Sequence, residues 1–249
     1  MDTPVDEGDG SLSGGERQQV SIARTTLKDS TKGGRGSLQK GRKRVSRDDV
    51  VAESLALLDE SGIAAVTLRG VAKRMQVHLN SVSFQVNTKA RLFELLADAI
   101  LGELSLNDLP EDPRDRIAEM SRRLRLALLA HRDGARVVAG TKVLESNTLH
   151  VAEVIVAAFL ELGTSEAVAA RTAWALHCLL IGLVQEEQFE RSDPASRYEA
   201  SAEKYPTLAR VERLFMDDTF DERSEFGIAA LISHALSTIE ALPRRRLRR

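Results

Sequence analysis

Apolar residues recur at intervals of three and four in the early part of the chain, after a polar leading segment, and this spacing predicts short helices. The first helix begins after Ser46 and ends at Gly62, where glycine allows a left-handed cap. A second helix covers residues 66–75, a tight turn covers 76–77, and a third, polar helix covers 78–84. Two short helices joined by such a turn are typical of a helix-turn-helix, whose second helix enters the major groove of DNA.

Polar residues at the predicted helix starts support these boundaries. Ser46 is followed three residues later by Asp49, the arrangement of a capping box. Thr67 and Thr88 stand where the second and fourth helices begin, and a threonine hydroxyl there accepts a hydrogen bond from a free backbone N–H. We therefore expect three capped helices in this part of the chain.

The rest of the chain predicts a helical body. The fourth helix, residues 89–104, is apolar on more than one side, so we expect it to pack against both head and body. Further helices are expected at 114–131, 147–162, 165–188 and 222–242, with a glycine-containing connection after 131 and a polar loop near 192–206. The predicted fold class is all-α: an N-terminal three-helix head with a helix-turn-helix, followed by a helical body.

Charge divides the chain further. Residues 1–44 are rich in glycine, serine and charge, with eight Lys or Arg against one Asp between residues 28 and 47, and we expect disorder there. The last six residues, 244–249, carry five arginines. Basic blocks beside a helix-turn-helix favour phosphate binding. The predicted domains are an extension at 1–44, a DNA-binding head at 45–91, a ligand-binding and dimerisation body at 92–243 and a basic tail.

Several classes of function are disfavoured. Paired carboxylates, a metal cluster or a nucleophile–base set do not emerge from the sequence, so we expect no enzyme, no cofactor and no metal. The single cysteine, Cys178, suits a reducing cytoplasm, and the lack of a signal-like or long uninterrupted apolar run leads us to expect a cytoplasmic protein without membrane contact.

One motif points elsewhere. Residues 12–24 read LSGGERQQVSIAR, which closely resembles the signature motif of ABC-transporter ATPases. The G-x-x-x-x-G-K-[ST] loop that would hold the nucleotide phosphates is missing from the sequence, so ATP hydrolysis is not predicted. We interpret the match as a fusion remnant, an over-extended start or chance.

A family resemblance covers roughly residues 45–242. The head has the pattern Gly62-x-x-x-x-Thr67-x-Arg69-x-Val71-Ala72, and the body contains the run LLAHRDGARVVAGTK at residues 128–142. Both resemble the tetracycline-repressor (TetR) family, and the body run resembles its tetracycline-repressor-like branch. The resemblance implies a homodimeric DNA-binding repressor that a small molecule releases from a palindromic operator.

The sequence also departs from that family. Gln76 replaces the usual turn glycine, and Ser83-Phe84 replaces an aromatic pair, which changes the expected DNA preference. The positions that match the magnesium–tetracycline ligands are about Ser105, Val138 and Gln185, which are poor ligands for a hard cation. We therefore expect an inducer other than magnesium–tetracycline.

Candidate DNA contacts are short polar or basic side chains on the second and third helices, together with basic residues on either side. Asparagine can pair with adenine and arginine with guanine, whereas lysine binds phosphate. The glycine-rich basic segment can also enter an adjacent minor groove, as flexible arginine arms do. The predicted set is Thr67, Arg69, His78, Asn80, Ser81, Ser83, Lys89, Arg35, Arg42, Lys43 and Arg44.

Candidate ligand contacts have two sources. Trp174, His177, Ile181 and Gln185 share one helical stripe with Cys178, and a few polar groups on an apolar face suit a small-molecule site, although a hydrogen-bonded core histidine explains His177 equally well. By resemblance, other residues line the family pocket and imply a mainly hydrophobic inducer. They are Leu104, Met120, Leu124, Val138, Thr141, Lys142, Val151 and Val154.

The combined prediction is a ligand-released repressor that controls an efflux or biosynthetic gene, with a link to antibiotic resistance. The helices at 165–188 and 222–242 are expected to pair with their mates in a four-helix bundle. Ligand binding would swing the fourth helix and change the separation of the two heads. Two alternatives stay open: a ligand-independent or activating DNA-binding regulator, and a small helical enzyme or ligand-binding protein.

Overall fold

The computed structural model describes residues 44–141, 144–192 and 201–240. These residues form ten α-helices in the described ranges, in two groups that α4 connects. The helices are α1 Arg47–Ser61, α2 Leu68–Arg74, α3 Leu79–Val86, α4 Lys89–Gly102, α5 Pro113–Ala130, α6 Gly134–Ala139, α7 Ser146–Glu161, α8 Glu166–Ser192, α9 Pro206–Asp217 and α10 Phe220–Glu240. The all-α prediction is therefore confirmed.

The head consists of α1, α2 and α3, which pack against one another around a small apolar core. Val50, Leu58, Val71, Val82 and Val86 are 0–1% exposed and supply that core from all three helices. Burying aliphatic side chains of this size contributes roughly 1.5 to 3 kcal/mol each. The outer faces of α2 and α3 are left exposed by this arrangement.

The predicted caps of the head are confirmed. Ser46 accepts a hydrogen bond from the Asp49 amide, while the Asp49 carboxylate accepts one from the Ser46 amide, so both halves of the capping box are present. Thr67 and Thr88 accept from the amides of Gly70 and Arg91. These short-range bonds fix where α1, α2 and α4 begin.

Two turns need positive backbone angles. Gly62 ends α1 with φ 77° and ψ 173°, an angle pair that glycine adopts readily, although its ψ is extended and not that of a left-handed helix. Gln76, between α2 and α3, has φ 55°. A side chain in that region is strained, so the turn reaches its geometry without the glycine that would make it easy.

The body surrounds α8. Helices α5, α6, α7 and α10 all pack against α8, and α4 packs against α1 and α3 of the head as well as α5, α6 and α7 of the body. A Cβ at Gly227 of α10 would lie 2.6 Å from Leu179 of α8, so glycine permits the close approach of these two helices. The expectation that α4 packs on both groups is confirmed.

Helix α8 is long and apolar enough by length and composition to span a membrane, and one third of its apolar window is buried in the structure. Helices pack against it on several sides, which is the situation of the central helix of a bundle. The rest of its apolar surface is left uncovered by the described residues.

Two helices were missed from the sequence. Helix α6 occupies the region expected to be a glycine-containing connection, and α9 follows the polar segment that was expected to be a loop. Helix α6 has six residues, too few to show helical periodicity. Residues from Val45 onward form one compact unit, within which the boundary between head and body at 91–92 stays a prediction.

Candidate functional site

The exposed face of α3 is mainly polar. His78 stands at its N-cap position, Asn80 is exposed, and Ser81 and Ser83 are partly exposed, while Val82 points into the head core. Four of the predicted DNA contacts therefore lie on the accessible part of one short helix. Their role as DNA contacts stays a prediction.

Phe84, which was not among the predicted DNA contacts, also lies on this face. Its side chain is 75% exposed, between the buried Val82 and Val86. A single exposed ring is common on protein surfaces, but this one lies among the predicted DNA contacts. The available signal was its position: the two buried valines, two residues on either side, place Phe84 on the opposite face.

Helix α2 is fastened to α1 by an ion-pair cluster behind this face. Arg74 donates from Nε to Glu53 at 2.9 Å and from Nη2 to Glu60 at 2.9 Å. Hydrogen bonding to Arg74 lowers the pKa of Glu60, and the two carboxylates raise the pKa of Arg74. Arg69, on the outer side of α2, is exposed and lies within the candidate surface.

The basic residues on either side of the head fall into two groups. Lys89, at the first position of α4, is exposed, and its ammonium lies 5.3 Å from the centre of the Phe93 ring. Arg44 is exposed before α1. Arg35, Arg42 and Lys43, proposed for the minor groove, lie outside the described residues, as do the motif at 12–24 and the tail.

The head is joined to the body by the loop between α5 and α6. His131 of that loop is buried, with Nδ1 3.1 Å from Asp59 at the end of α1 and Nε2 3.0 Å from Glu103 after α4. The backbone amide of Arg132 donates to the same Asp59 carboxylate at 3.1 Å. These contacts hold the loop against the end of α1 and the end of α4.

Asp133 makes the second connection between this loop and the head. Its Oδ2 accepts a 2.9 Å hydrogen bond from the Ile63 amide in the α1–α2 connection. Burial by itself would raise the pKa of Asp133, but the hydrogen bonds from Ile63 and Arg136 outweigh it and hold the pKa below the usual value. We call the contacts of His131, Arg132 and Asp133 with the head the junction latch.

Helix α4 is bonded to the start of α7 at two levels. Arg91 forms ion pairs with Glu94 in α4 and with Glu145 ahead of α7, and its hydrogen bond lowers the pKa of Glu145. Two turns later, Asp98 accepts from the Thr148 amide at 2.8 Å and from the Thr148 hydroxyl at 3.0 Å. These bonds therefore connect the start of α7 to two successive levels of α4.

The predicted ligand contacts are mostly buried in one apolar cluster. Its members come from the end of α4 and from α5, α6, α7 and α8, which meet around the interior of the body. The structure thus brings most of the predicted residues into one region, and their role as ligand contacts stays a prediction. Buried members are Leu104, Met120, Leu124, Val138, Val151 and Ile181, and Val154 packs against them.

The polar members of the predicted site are distributed differently. Thr141 is partly exposed and donates to the Val138 carbonyl at 3.0 Å, and Gln185 is partly buried. The rings of Trp174 and His177 are 5.5 Å apart, yet Trp174 is 67% exposed while burial lowers the pKa of His177. The stripe on α8 therefore passes from surface to interior. Lys142 lies outside the described residues.

Helices α8 and α10 also expose an apolar face. On α8, Trp174 is followed by the exposed Cys178 and by Gly182, where a Cβ would point into open space in the described part of the chain. On α10, Phe226 is 78% exposed and Ala230 is exposed one turn later. Large rings beside small residues form a surface that another helix pair can approach closely.

The molecule has a small helix-turn-helix head and a helical body with an apolar interior, and α4 is bonded to both. These features are typical of helical DNA-binding regulators that have a separate sensor body. Residues 107–235 match the family model described as the tetracyclin repressor-like C-terminal domain. The chain belongs to the tetracycline-repressor family.

Individual relatives agree with that assignment. The tetracycline repressor protein class A from transposon 1721 of Escherichia coli is 32% identical over 202 residues, covering 80% of this chain and 90% of the relative. A possible TetR family transcriptional regulator from Streptomyces coelicolor A3(2) is 30% identical, with a TM-score of 0.69 over 78% of this chain and 100% of that one. A single-residue variant of TetR from Acinetobacter baumannii AYE, in complex with minocycline, is 28% identical, with a TM-score of 0.62 over 76% and 96%.

Proposed function

We propose that this member of the TetR family of transcriptional regulators is a homodimeric repressor that binds a palindromic operator and is released by a small, mainly hydrophobic ligand in the body. The observation that carries the proposal is the route from body to DNA-binding face. Helix α4 packs against α3, and its Asp98 is hydrogen-bonded to Thr148 at the start of α7. A ligand that displaces α7 therefore displaces the heads.

The surface chemistry supports the two kinds of partner. The polar face of α3, with Asn80 and the two serines, suits base edges, and Lys89 and Arg69 suit phosphate or guanine. The exposed rings and small residues of α8 and α10 suit a second copy of the chain, since identical faces pair about a two-fold axis. Paired heads match half-sites one helical turn apart.

The interior of the body supports a hydrophobic ligand. Met120, Leu124 and Val138 are each 0–5% exposed within the apolar cluster. His177, with its pKa lowered by burial, would be neutral at pH 7 and would offer hydrogen bonds without charge. A minocycline complex is known for a relative that is 28% identical, whereas our proposal for this chain is a more apolar molecule outside the tetracyclines. We further propose a cytoplasmic location and control of an efflux or biosynthetic gene.

The test is selection of genomic DNA fragments by the purified protein, followed by binding assays with and without organic extracts. We expect enriched fragments to share an inverted repeat, and an apolar extract fraction to release them. Arg69→Ala should weaken binding and lower its salt dependence, because one phosphate or base contact is lost. Arg114→Ala, which removes the same charge from exposed α5 surface, is the matched control.

Three outcomes would contradict the proposal. One is binding without preference for any fragment over random duplex. Another is an equal effect of the two arginine variants. The third is a DNA complex that no extract fraction changes, which would favour a ligand-independent regulator.

A further inference from the structure

A groove of about 520 Å³ opens where head and body meet; it shares Thr141 with the predicted ligand contacts but none of the buried ones. Its volume lies in the range of small-molecule sites. Three separate segments form its walls: the α1–α2 connection, the first two turns of α4, and the end of α6. The lining residues are Ile63, Ala64, Lys89, Ala90, Phe93, Glu94, Gly140 and Thr141.

Among the described residues that line the groove, an apolar floor is combined with one cation, Lys89. Ile63 and Phe93 pack partly against the core and leave apolar surface facing the opening. The Lys89 ammonium lies over the Phe93 ring, 5.3 Å from its centre, so the cation covers one aromatic face and leaves the ring edge to the groove. The carboxylate in the wall, Glu94, is paired with Arg91 at 2.9 Å, which offsets its negative charge.

We propose that this groove is a second binding site, and that it takes a small planar aromatic carboxylate. The aromatic ring of the ligand lies against the edge of the Phe93 ring and contacts Ile63, and the ligand carboxylate pairs with Lys89. Thr141 lies at the opposite wall, and since its hydroxyl donates to the Val138 carbonyl, it limits the groove by its size and makes no hydrogen bond to the ligand. A purely apolar molecule would leave Lys89 without this pairing, and a cation would be repelled by it.

Occupancy of the groove would act on the heads directly. Ile63 is a groove wall and also donates its amide to Asp133 in the junction latch. Lys89 lines the groove and is also a proposed phosphate contact. Its single ammonium cannot pair fully with both the ligand carboxylate and a DNA phosphate. The regulatory consequence rests on the proposed function, whereas binding itself does not.

Direct binding without DNA tests the site. The probe is 2-naphthoate, followed by its fluorescence on titration with the full-length protein, and 2-naphthalenemethanol serves as the uncharged comparison. Ala90→Trp fills the groove from an exposed position, and Thr141→Trp fills it from the other wall. Ala118→Trp, at an exposed position of α5, is the matched control.

We expect saturable 1:1 binding of 2-naphthoate that both filling variants abolish and the control retains. Lys89→Gln should lower the affinity for naphthoate roughly fivefold, the size of an exposed ion pair, and leave the affinity for the alcohol unchanged. Thermal melting of each variant, followed by circular dichroism, distinguishes loss of the groove from loss of folding. If one filling variant unfolds, the other still tests the site.

Three results would overturn the proposal. The first is naphthoate binding that survives both folded filling variants. The second is equal binding of acid and alcohol both in wild type and in Lys89→Gln, and the third is absence of any binding at millimolar probe. None of these outcomes bears on DNA binding, so failure here is distinguishable from failure of the repressor proposal. If naphthoate also lowers DNA affinity in wild type but not in Ala90→Trp, the regulatory consequence is supported.

Discussion

The head and the two long body helices expose opposite kinds of surface. The accessible face of α3 carries Asn80, Ser81 and Ser83 beside the ring of Phe84. Buried valines form the core beneath this face. Helices α8 and α10 expose the large apolar rings of Trp174 and Phe226, together with the small residues Gly182 and Ala230.

The difference separates two energetic requirements. A polar face loses little by remaining in water and gains from a charged partner, whereas an apolar face gains most when another apolar face covers it. The head is therefore suited to a transient partner, and the α8–α10 face is suited to a permanent one. Substitutions in the head and on the α8–α10 face should therefore change binding by different amounts.

The largest effect is expected at the α8–α10 face. Phe226→Glu places a charge where a 78% exposed ring stands, and a two-fold axis would repeat it on the second copy. We expect the dissociation constant of the dimer to rise about 100-fold or more, the effect that loss of a central aromatic residue has on an interface. Analytical ultracentrifugation measures this. Leu149→Glu, at another exposed apolar position on α7, should have little effect; an equal effect would place the interface elsewhere.

The next effect belongs to the head. Asn80→Ala removes an exposed amide from α3, and loss of one base contact costs about 1 to 3 kcal/mol, or roughly 5- to 150-fold in affinity per half-site. Fluorescence anisotropy with a selected DNA fragment gives the value. Asn107→Ala changes an exposed asparagine of the body and should leave affinity unchanged. An unchanged affinity for Asn80→Ala would remove this residue from the DNA contacts.

The junction latch gives a stability effect that joins the two regions. Asp133→Ala leaves the Ile63 amide without its acceptor, and we expect a loss of about 1.5 to 3 kcal/mol in the free energy of unfolding, measured by urea denaturation. Asp217→Ala, an exposed carboxylate on α9, should change it little.

The same variant has a defined pH dependence. Because the pKa of Asp133 is lowered in the folded state, its contribution is present at neutral pH and is lost as pH falls through that lowered pKa. The difference between wild type and Asp133→Ala should therefore shrink in acid. A difference that stays constant down to about pH 3, below the usual aspartate pKa, would contradict the role given to the carboxylate.

The smallest effect concerns the turn between α2 and α3. Gln76 has φ 55°, so Gln76→Gly relieves backbone strain but adds freedom to the unfolded chain. We expect a net gain of at most about 0.5 kcal/mol, since these two contributions are similar in size. Gln76→Ala keeps the strain and should give no gain. Thermal unfolding compares the two variants, and a clear loss of stability with glycine would show that the Gln76 side chain itself stabilises the turn.

Local chemistry made the head predictable. The capping box of Ser46 and Asp49 and the caps of Thr67 and Thr88 act within three residues, so the sequence contains all the information needed to place them. Helix α6 was missed because its start depends on a distant contact. Asp133 has φ 58° before that helix and is held by Ile63, 70 residues away.

The candidate sites also contain features that helical spacing could predict and features that it could not. Helical spacing placed Asn80 and Ser81 correctly on an accessible face, because α3 has one buried side. Spacing could not show that Trp174 is exposed while Ile181, seven residues later on the same stripe, is buried. That difference arises from which helices lie beside α8 at each level. Helix α9 had a usable signal in Pro206 at its first position, which favours a helix start.

The bonds along α4 have a mechanical consequence. Its 14 residues span about 21 Å at the rise of an α-helix, and Asp98 and Glu103 bond its second half to α7 and to His131. A rigid rod of that length, rotated by about 5° around its C-terminal end, moves its N-terminal end, which packs against α3, by about 2 Å. Shifts inside the body that are smaller than a methyl group would thus become, at α3, displacements comparable to a hydrogen-bond length.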